Sequence, residues 1–191
     1  MNPKDIRIVF MGTPEFAEVA LRAINEAFPG EIVGVVSRVD TPKNRGHQMT
    51  PPPVKKTALE LGLPVYQPLT LRDGAFQEVL DELQPELIIV AAYGNILPKY
   101  VLDYPKYGCI NLHVSLLPKY RGAAPMQRAI MEGERETGVT VMYMAEGLSF
   151  GDTDFDEDEF IEVVRIPLDE MVQMVMGGDI PDVKTQTAVL K

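Results

Sequence analysis

The sequence predicts a doubly wound α/β domain with a mostly parallel sheet, completed by one further strand and helix near its carboxy-terminal end. Three observations predict it. Short β-rich runs alternate with segments of helical apolar spacing along most of the chain. Residues 86–92 form a run that is continuously apolar after Glu86, the pattern of a strand buried on both faces. Residues 111–122 place an amide, an imidazole and a basic turn directly after the apolar run 108–110, as such sheets present chemistry at the carboxyl end of a central strand.

The elements follow in order. Residues 6–11 read as the first strand, closed by Gly12-Thr13-Pro14, and 15–27 as a helix whose entry suits Pro14. Residues 31–39 give the second strand through Ile32, Val33, Val35 and Val36. A polar, proline-rich loop is expected over 40–53, then a helix over 54–61 ended by Gly62. Val65 and Tyr66 make a short third strand and 76–83 a helix. The fourth strand is 86–92 and the fifth 109–113. A helix over 126–132 and a sixth strand over 137–144 follow. Strands alternating with helices in this way argue for a parallel sheet covered on both sides. Beyond them, 160–166 has the β-branched density of a strand. Residues 168–176 carry helical apolar spacing in Leu168, Met171, Val172, Val175 and Met176.

Composition excludes several classes. With 191 residues, 46% hydrophobic and 24% charged, the chain matches one globular domain with a proper core. Cys109 is the only cysteine, so no disulfide framework exists and a reducing compartment is expected. Residues 1–5 lack a signal-peptide pattern and no apolar run reaches the length of a membrane span, so a cytoplasmic protein is expected. The net charge of −10 is concentrated in 149–191, which hold eleven acidic and three basic side chains. Two histidines and one cysteine, spread along the chain, give no metal site.

Asn111 and His113 stand two residues apart, so in a strand they project from one face. The Gly12-Thr13-Pro14-Glu15-Phe16 turn joins a strand to a helix and can cradle a phosphate at the helix start, or it is a plain tight βα turn. Both readings stand. No further glycines follow at dinucleotide-binding spacing, so a nicotinamide cofactor is not expected.

The run Asn111-Leu112-His113-Val114-Ser115-Leu116-Leu117-Pro118-Lys119-Tyr120-Arg121-Gly122 resembles the signature of the folate-dependent formyltransferases. Residues 121–125, Arg-Gly-Ala-Ala-Pro, make the resemblance specific to the methionyl-tRNA formyltransferases. It covers 6–148 and also includes Gly12 to Phe16, residues 45–47 with 50–55, 91–94 with Leu97-Pro98, and 137–140. The resemblance implies a Rossmann-like formyltransferase fold over 1–148. It implies transfer of a formyl group from 10-formyltetrahydrofolate to the amine of initiator Met-tRNA, the modification used in translation initiation. Tyr93, Gly94, Ser115, Leu116, Leu117 and Pro118 would then line the folate site, and Phe16, Lys43, Arg45 and His47 would meet the tRNA. Asn111 would donate a hydrogen bond to the oxygen that gains charge as an amine attacks the formyl carbon. His113 would stabilise that charge and move the proton.

In that family an aspartate completes the set, following a Gly-Leu pair after the sixth strand. Here the pair is Gly147-Leu148 and Ser149 stands at the aspartate position, without the charge that holds an imidazolium. From Ser149 onward the residues resemble the carboxy-terminal end of the Nudix ADP-ribose pyrophosphatases. The matching runs are 147–154, the acidic run with its following strand over 156–164, 167–170 and 178–188. The Nudix catalytic box has no counterpart, so pyrophosphate hydrolysis is not expected. This reads as a chimera joined near Leu148, with a Nudix-derived segment over 149–191 adding an edge strand and helix to the same sheet. Ordinary drift in a formyltransferase tail is the alternative. The small β-barrel that follows in the formyltransferase family, and helps bind tRNA, has no counterpart within these residues. The expected function is therefore a formyltransferase-like domain, inactive or strongly impaired, with folate binding weakened and tRNA binding weak or lost. A non-enzymatic chimeric scaffold is the rival.

Overall fold

The computed structural model describes residues 6–43, 48–121, 124–144 and 160–167. In chain order the elements are β1 (Ile8–Gly12), α1 (Glu15–Ala27), β2 (Ile32–Val36), β3 (Thr41–Lys43), β4 (Gln48–Thr50), α2 (Pro53–Glu60) and β5 (Val65–Tyr66). They continue with α3 (Gln77–Leu83), β6 (Leu87–Ala91), α4 (Lys99–Leu102), β7 (Cys109–His113), α5 (Pro125–Met131), β8 (Glu136–Tyr143) and β9 (Phe160–Pro167).

Seven strands form one sheet in the order β5-β2-β1-β6-β7-β8-β9. The five from β5 to β7 run parallel, with Ile8 to Gly12 of β1 paired against Leu87 to Ala91 of β6. β8 returns antiparallel to β7, and β9 antiparallel to β8 with Thr140 opposite Val163. The strand order reverses direction between β1 and β6, which opens a crevice beyond their carboxyl ends.

Alternation along the central strands builds two cores. Ile8 and Phe10 of β1 and Ile89 and Ala91 of β6 face Phe16, Ala17, Ala20, Leu21 and Ile24 of α1 and Val54 and Ala58 of α2. Val9, Met11, Ile88 and Val90 face the other way, onto Leu80 and Leu83 of α3 and Val101 and Leu102 of α4. A strand with apolar residues at every position can satisfy both layers at once, which is why 87–92 reads as continuously apolar. β7 continues the pattern. Leu112 joins the α1 side, and Cys109 the α4 side, leaving Asn111 and His113 further along the face of Cys109.

Two departures from the sequence reading have physical reasons. The polar stretch 40–53 is not all loop: Thr41 to Lys43 pairs antiparallel with Gln48 to Thr50 as a separate two-stranded ribbon. Three-residue strands carry no readable period, and Pro42 argues against a strand except where, as here, there is an edge to hold it. The one-turn helix α4, entered from Pro98, is likewise too short for a 3.6-residue period. The second strand also ends at Val36 rather than 39. The helix expected over 168–176 lies outside the described residues.

Candidate functional site

The site is built where β1, β6 and β7 end. Gly12, the last residue of β1, is required by packing. A Cβ there would lie 2.6 Å from the Cβ of Ala17, 2.8 Å from the Phe10 ring and 3.0 Å from the Ala91 carbonyl oxygen. Helix α1 can come this close to the sheet only over a glycine, so the packing accounts for the turn without any ligand. One residue on, the Thr13 hydroxyl donates to the Tyr93 carbonyl at 2.8 Å, tying the end of β1 to the loop after β6. That loop is bent at Ala92 and Gly94, both with positive φ (45° and 87°).

β7 carries Asn111 and His113, half-buried, opposite Val90 of β6 and Thr140 of β8 respectively. His113 Nε2 lies 3.2 Å from the Tyr120 carbonyl oxygen. A carbonyl can only accept, so Nε2 carries the hydrogen and the other ring nitrogen, Nδ1, is left as the acceptor of the neutral ring. Burial pushes the imidazole below its ordinary pKa, more than the bond to Tyr120 raises it, so the ring is neutral at pH 7.

The loop after His113 is tied down from inside. The Ser115 amide donates to the His113 carbonyl at 2.9 Å and its hydroxyl to the Lys119 carbonyl at 2.9 Å. Thr140, fully buried, donates to the Ser115 carbonyl at 2.7 Å and accepts from the Leu117 amide at 3.2 Å. Leu116 and Leu117 are half-buried beside this core and Pro118 is exposed. Further out, the Tyr120 hydroxyl meets Glu132 at 3.0 Å and Glu134 at 2.8 Å, and Lys119 Nζ pairs with Glu134 at 2.8 Å. Glu134 is held below the usual carboxylate range by Lys119 and then Tyr120.

The structure thus brings Asn111, His113, Ser115, Leu116, Leu117 and Pro118 together on one strand end and its loop. Ser115 spends its hydroxyl on that loop. Tyr93 is 1% exposed, and its ring packs in the core on the α4 side. Phe16, expected at the tRNA entrance, packs in the core on the α1 side at 7% exposure. Lys43 closes β3, while Arg45, His47 and Ser149 lie outside the described residues. Thr140, Tyr120 and Glu134 were not singled out by the sequence reading. Strand alternation could have found Thr140, which sits across from His113, but nothing local marks two carboxylates that reach back over a dozen residues.

Among the described residues no cluster of three or more His, Cys, Asp or Glu side chains could hold a metal ion, and no helix is long and apolar enough to cross a membrane.

The Formyl transferase family matches residues 6–158, ten residues past the expected boundary at 148. The chain is 53% identical over 147 residues to a methionyl-tRNA formyltransferase of Pelotomaculum thermopropionicum, covering 77% of this chain and 47% of that protein. It is 47% identical over 182 residues to one of Bacillus licheniformis, covering 92% and 57%. The chain spans about half the length of the curated relatives it matches. Its fold is that of phosphoribosylglycinamide formyltransferase from Streptococcus pneumoniae, with a TM-score of 0.66 at 22% identity over 90% of this chain and 91% of that one. Because the family match takes in every element from β1 to β8, and with them the strand that carries Asn111 and His113, the chain belongs to the formyl transferase family.

Proposed function

We propose that this chain is the catalytic portion of a cytoplasmic methionyl-tRNA formyltransferase that takes its formyl group from 10-formyltetrahydrofolate. The observation that carries the reading is the 47–55% identity to proteins of that name across the segment holding Asn111 and His113. The residues fit such a donor: half-buried Leu116 and Leu117 offer an apolar wall beside two polar side chains aimed from one strand face. When bound, the folate supplies an activated formyl carbon to the amine of methionine on its tRNA. Asn111 donates its amide N–H to the formyl oxygen as negative charge grows there. His113, through Nδ1, would accept the proton that the attacking amine loses and return that same proton to the donor nitrogen that leaves the formyl carbon. By the family resemblance, Tyr93, Gly94 and Ser115 to Pro118 are assigned to the folate, and Phe16, Lys43, Arg45 and His47 to the tRNA.

A neutral, buried imidazole is a poor stabiliser of that charge unless a carboxylate stands beside it. Ser149 at the family's aspartate position supplies none, and the reading therefore includes strongly impaired turnover. Ser149→Asp should raise the rate of Met-tRNA formylation by about 10²–10⁴-fold, the usual worth of general acid–base assistance. His113→Ala in that background should abolish the gain. Full-rate formylation by the unaltered chain would overturn the assigned impairment. The rival reading, a non-enzymatic chimera with a Nudix-derived segment from 149, draws on the resemblance of 149–191 alone. The family match to residue 158 favours drift in a formyltransferase tail instead. Calorimetry with 5-formyltetrahydrofolate decides between them: weak heat is expected, and no heat at millimolar ligand would leave the scaffold.

A further inference from the structure

Tyr120 is held in an unusual way. Its backbone is left-handed (φ 58°), a conformation that a bulky side chain adopts only where its surroundings impose it. Its hydroxyl faces two carboxylates, Glu132 at 3.0 Å and Glu134 at 2.8 Å, at the turn between α5 and β8. Lys119, its neighbour, pairs with the same Glu134 oxygen at 2.8 Å. Its carbonyl oxygen is the hydrogen-bond partner of His113 Nε2. One residue therefore joins a surface acidic pair to the imidazole of the site.

We propose that Glu132 and Glu134 act as positioning residues, gripping the Tyr120 phenol so that the Tyr120 carbonyl points at His113 and holds its ring with the hydrogen on Nε2 and Nδ1 open. The inference rests on the reading of His113 as the working imidazole. A carbonyl that drifts away frees the neutral ring to carry its hydrogen on either nitrogen, and a ring protonated at Nδ1 cannot accept there.

Imidazole nitrogen NMR on the labelled, unaltered chain, above the His113 titration, tests this without substrate. One pyrrole-type signal assigned to Nε2 and one pyridine-type signal assigned to Nδ1 are expected for His113, identified by their loss in His113→Gln. Tyr120→Phe and the double variant Glu132→Ala/Glu134→Ala should each lower the ratio of the two ring forms about fivefold, the equilibrium factor of one ordinary hydrogen bond. A hydrogen on Nδ1 in the unaltered chain would overturn the proposal, as would unmoved signals in the double variant. If Tyr120→Phe does not fold, the double variant, altered at one exposed and one half-buried carboxylate outside both cores, decides alone. Failure of formyl transfer itself leaves these signals untouched, so the two readings fall separately.

Discussion

Cys109 shows what position does to a side chain. It is 1% exposed, its sulfur lies 3.7 Å from the carbonyls of Val101 and Leu102, and burial with Asp103 nearby pushes the thiol up to about 12. Since the thiolate is the reactive form, disulfide-exchange reagents at about pH 8 should label the native chain at least about a thousandfold more slowly than the chain in denaturant. Labelling at comparable rates would contradict the burial. His113, two turns of the pleat further along the same strand face, is shifted downward by the same desolvation, since burial disfavours the charged form of either group. With its folded pKa below 6.5 and the unfolded value at 6.5, the unfolded state binds more protons between the two. Its contribution to stability is complete above 6.5 and is lost as pH falls through that window. Urea denaturation should therefore show a stability decline on acidification that is shallower in His113→Gln.

At the scale of elements, the packing of α1 on the sheet and the anchoring of the ribbon are the two devices that can be tested. Gly12→Ala forces a Cβ into Ala17 and the Ala91 carbonyl, and overpacking of this kind costs about 1–3 kcal/mol, measurable by urea denaturation. The β3–β4 ribbon hangs from a clip at its first strand. Lys55 Nζ on α2 donates to both Asp40 oxygens at 2.8 and 2.9 Å and to the Gln67 side-chain oxygen at 2.7 Å, and Gln67 donates in turn to the Arg38 carbonyl at 2.6 Å. Lys55, then Gln67, hold the Asp40 carboxyl below its ordinary pKa, so the clip persists as pH falls toward the usual carboxylate range. Lys55→Met should raise hydrogen exchange of the amides in Thr41–Lys43 and Gln48–Thr50 while leaving β1 and β6 protected. Unchanged exchange in the ribbon would show that its own pairing is enough.

For the whole molecule the sheet is the common wall of two cores. Leu21 is fully buried on one side and Leu80 on the other. Leu→Ala at either position should cost about 2–5 kcal/mol. Because the same strands line both layers, far-UV and near-UV signals should move in one transition in each variant, whereas two transitions would mean the layers fold apart.

The strand–helix rhythm, a helix from Glu15 to about Ala27, the strand over 109–113 and the shared face of Asn111 and His113 are all legible in the sequence. All of these rest on periodicities of 2 and 3.6 that a single segment carries within itself. Tertiary structure alone decided the rest. The short ribbon and one-turn helix are too brief for any period. The antiparallel return of β8 is a choice of pairing partner, which no segment encodes alone. The neutral state of His113 comes from burial, against the pull of its bond to a carbonyl seven residues away; that carbonyl orients the ring, and carboxylates twelve and fourteen residues from Tyr120 meet the phenol of the same residue. Local pattern names the groups that can do chemistry; only packing sets their charge and their aim, because desolvation and hydrogen-bond geometry depend on neighbours that the fold brings in from elsewhere.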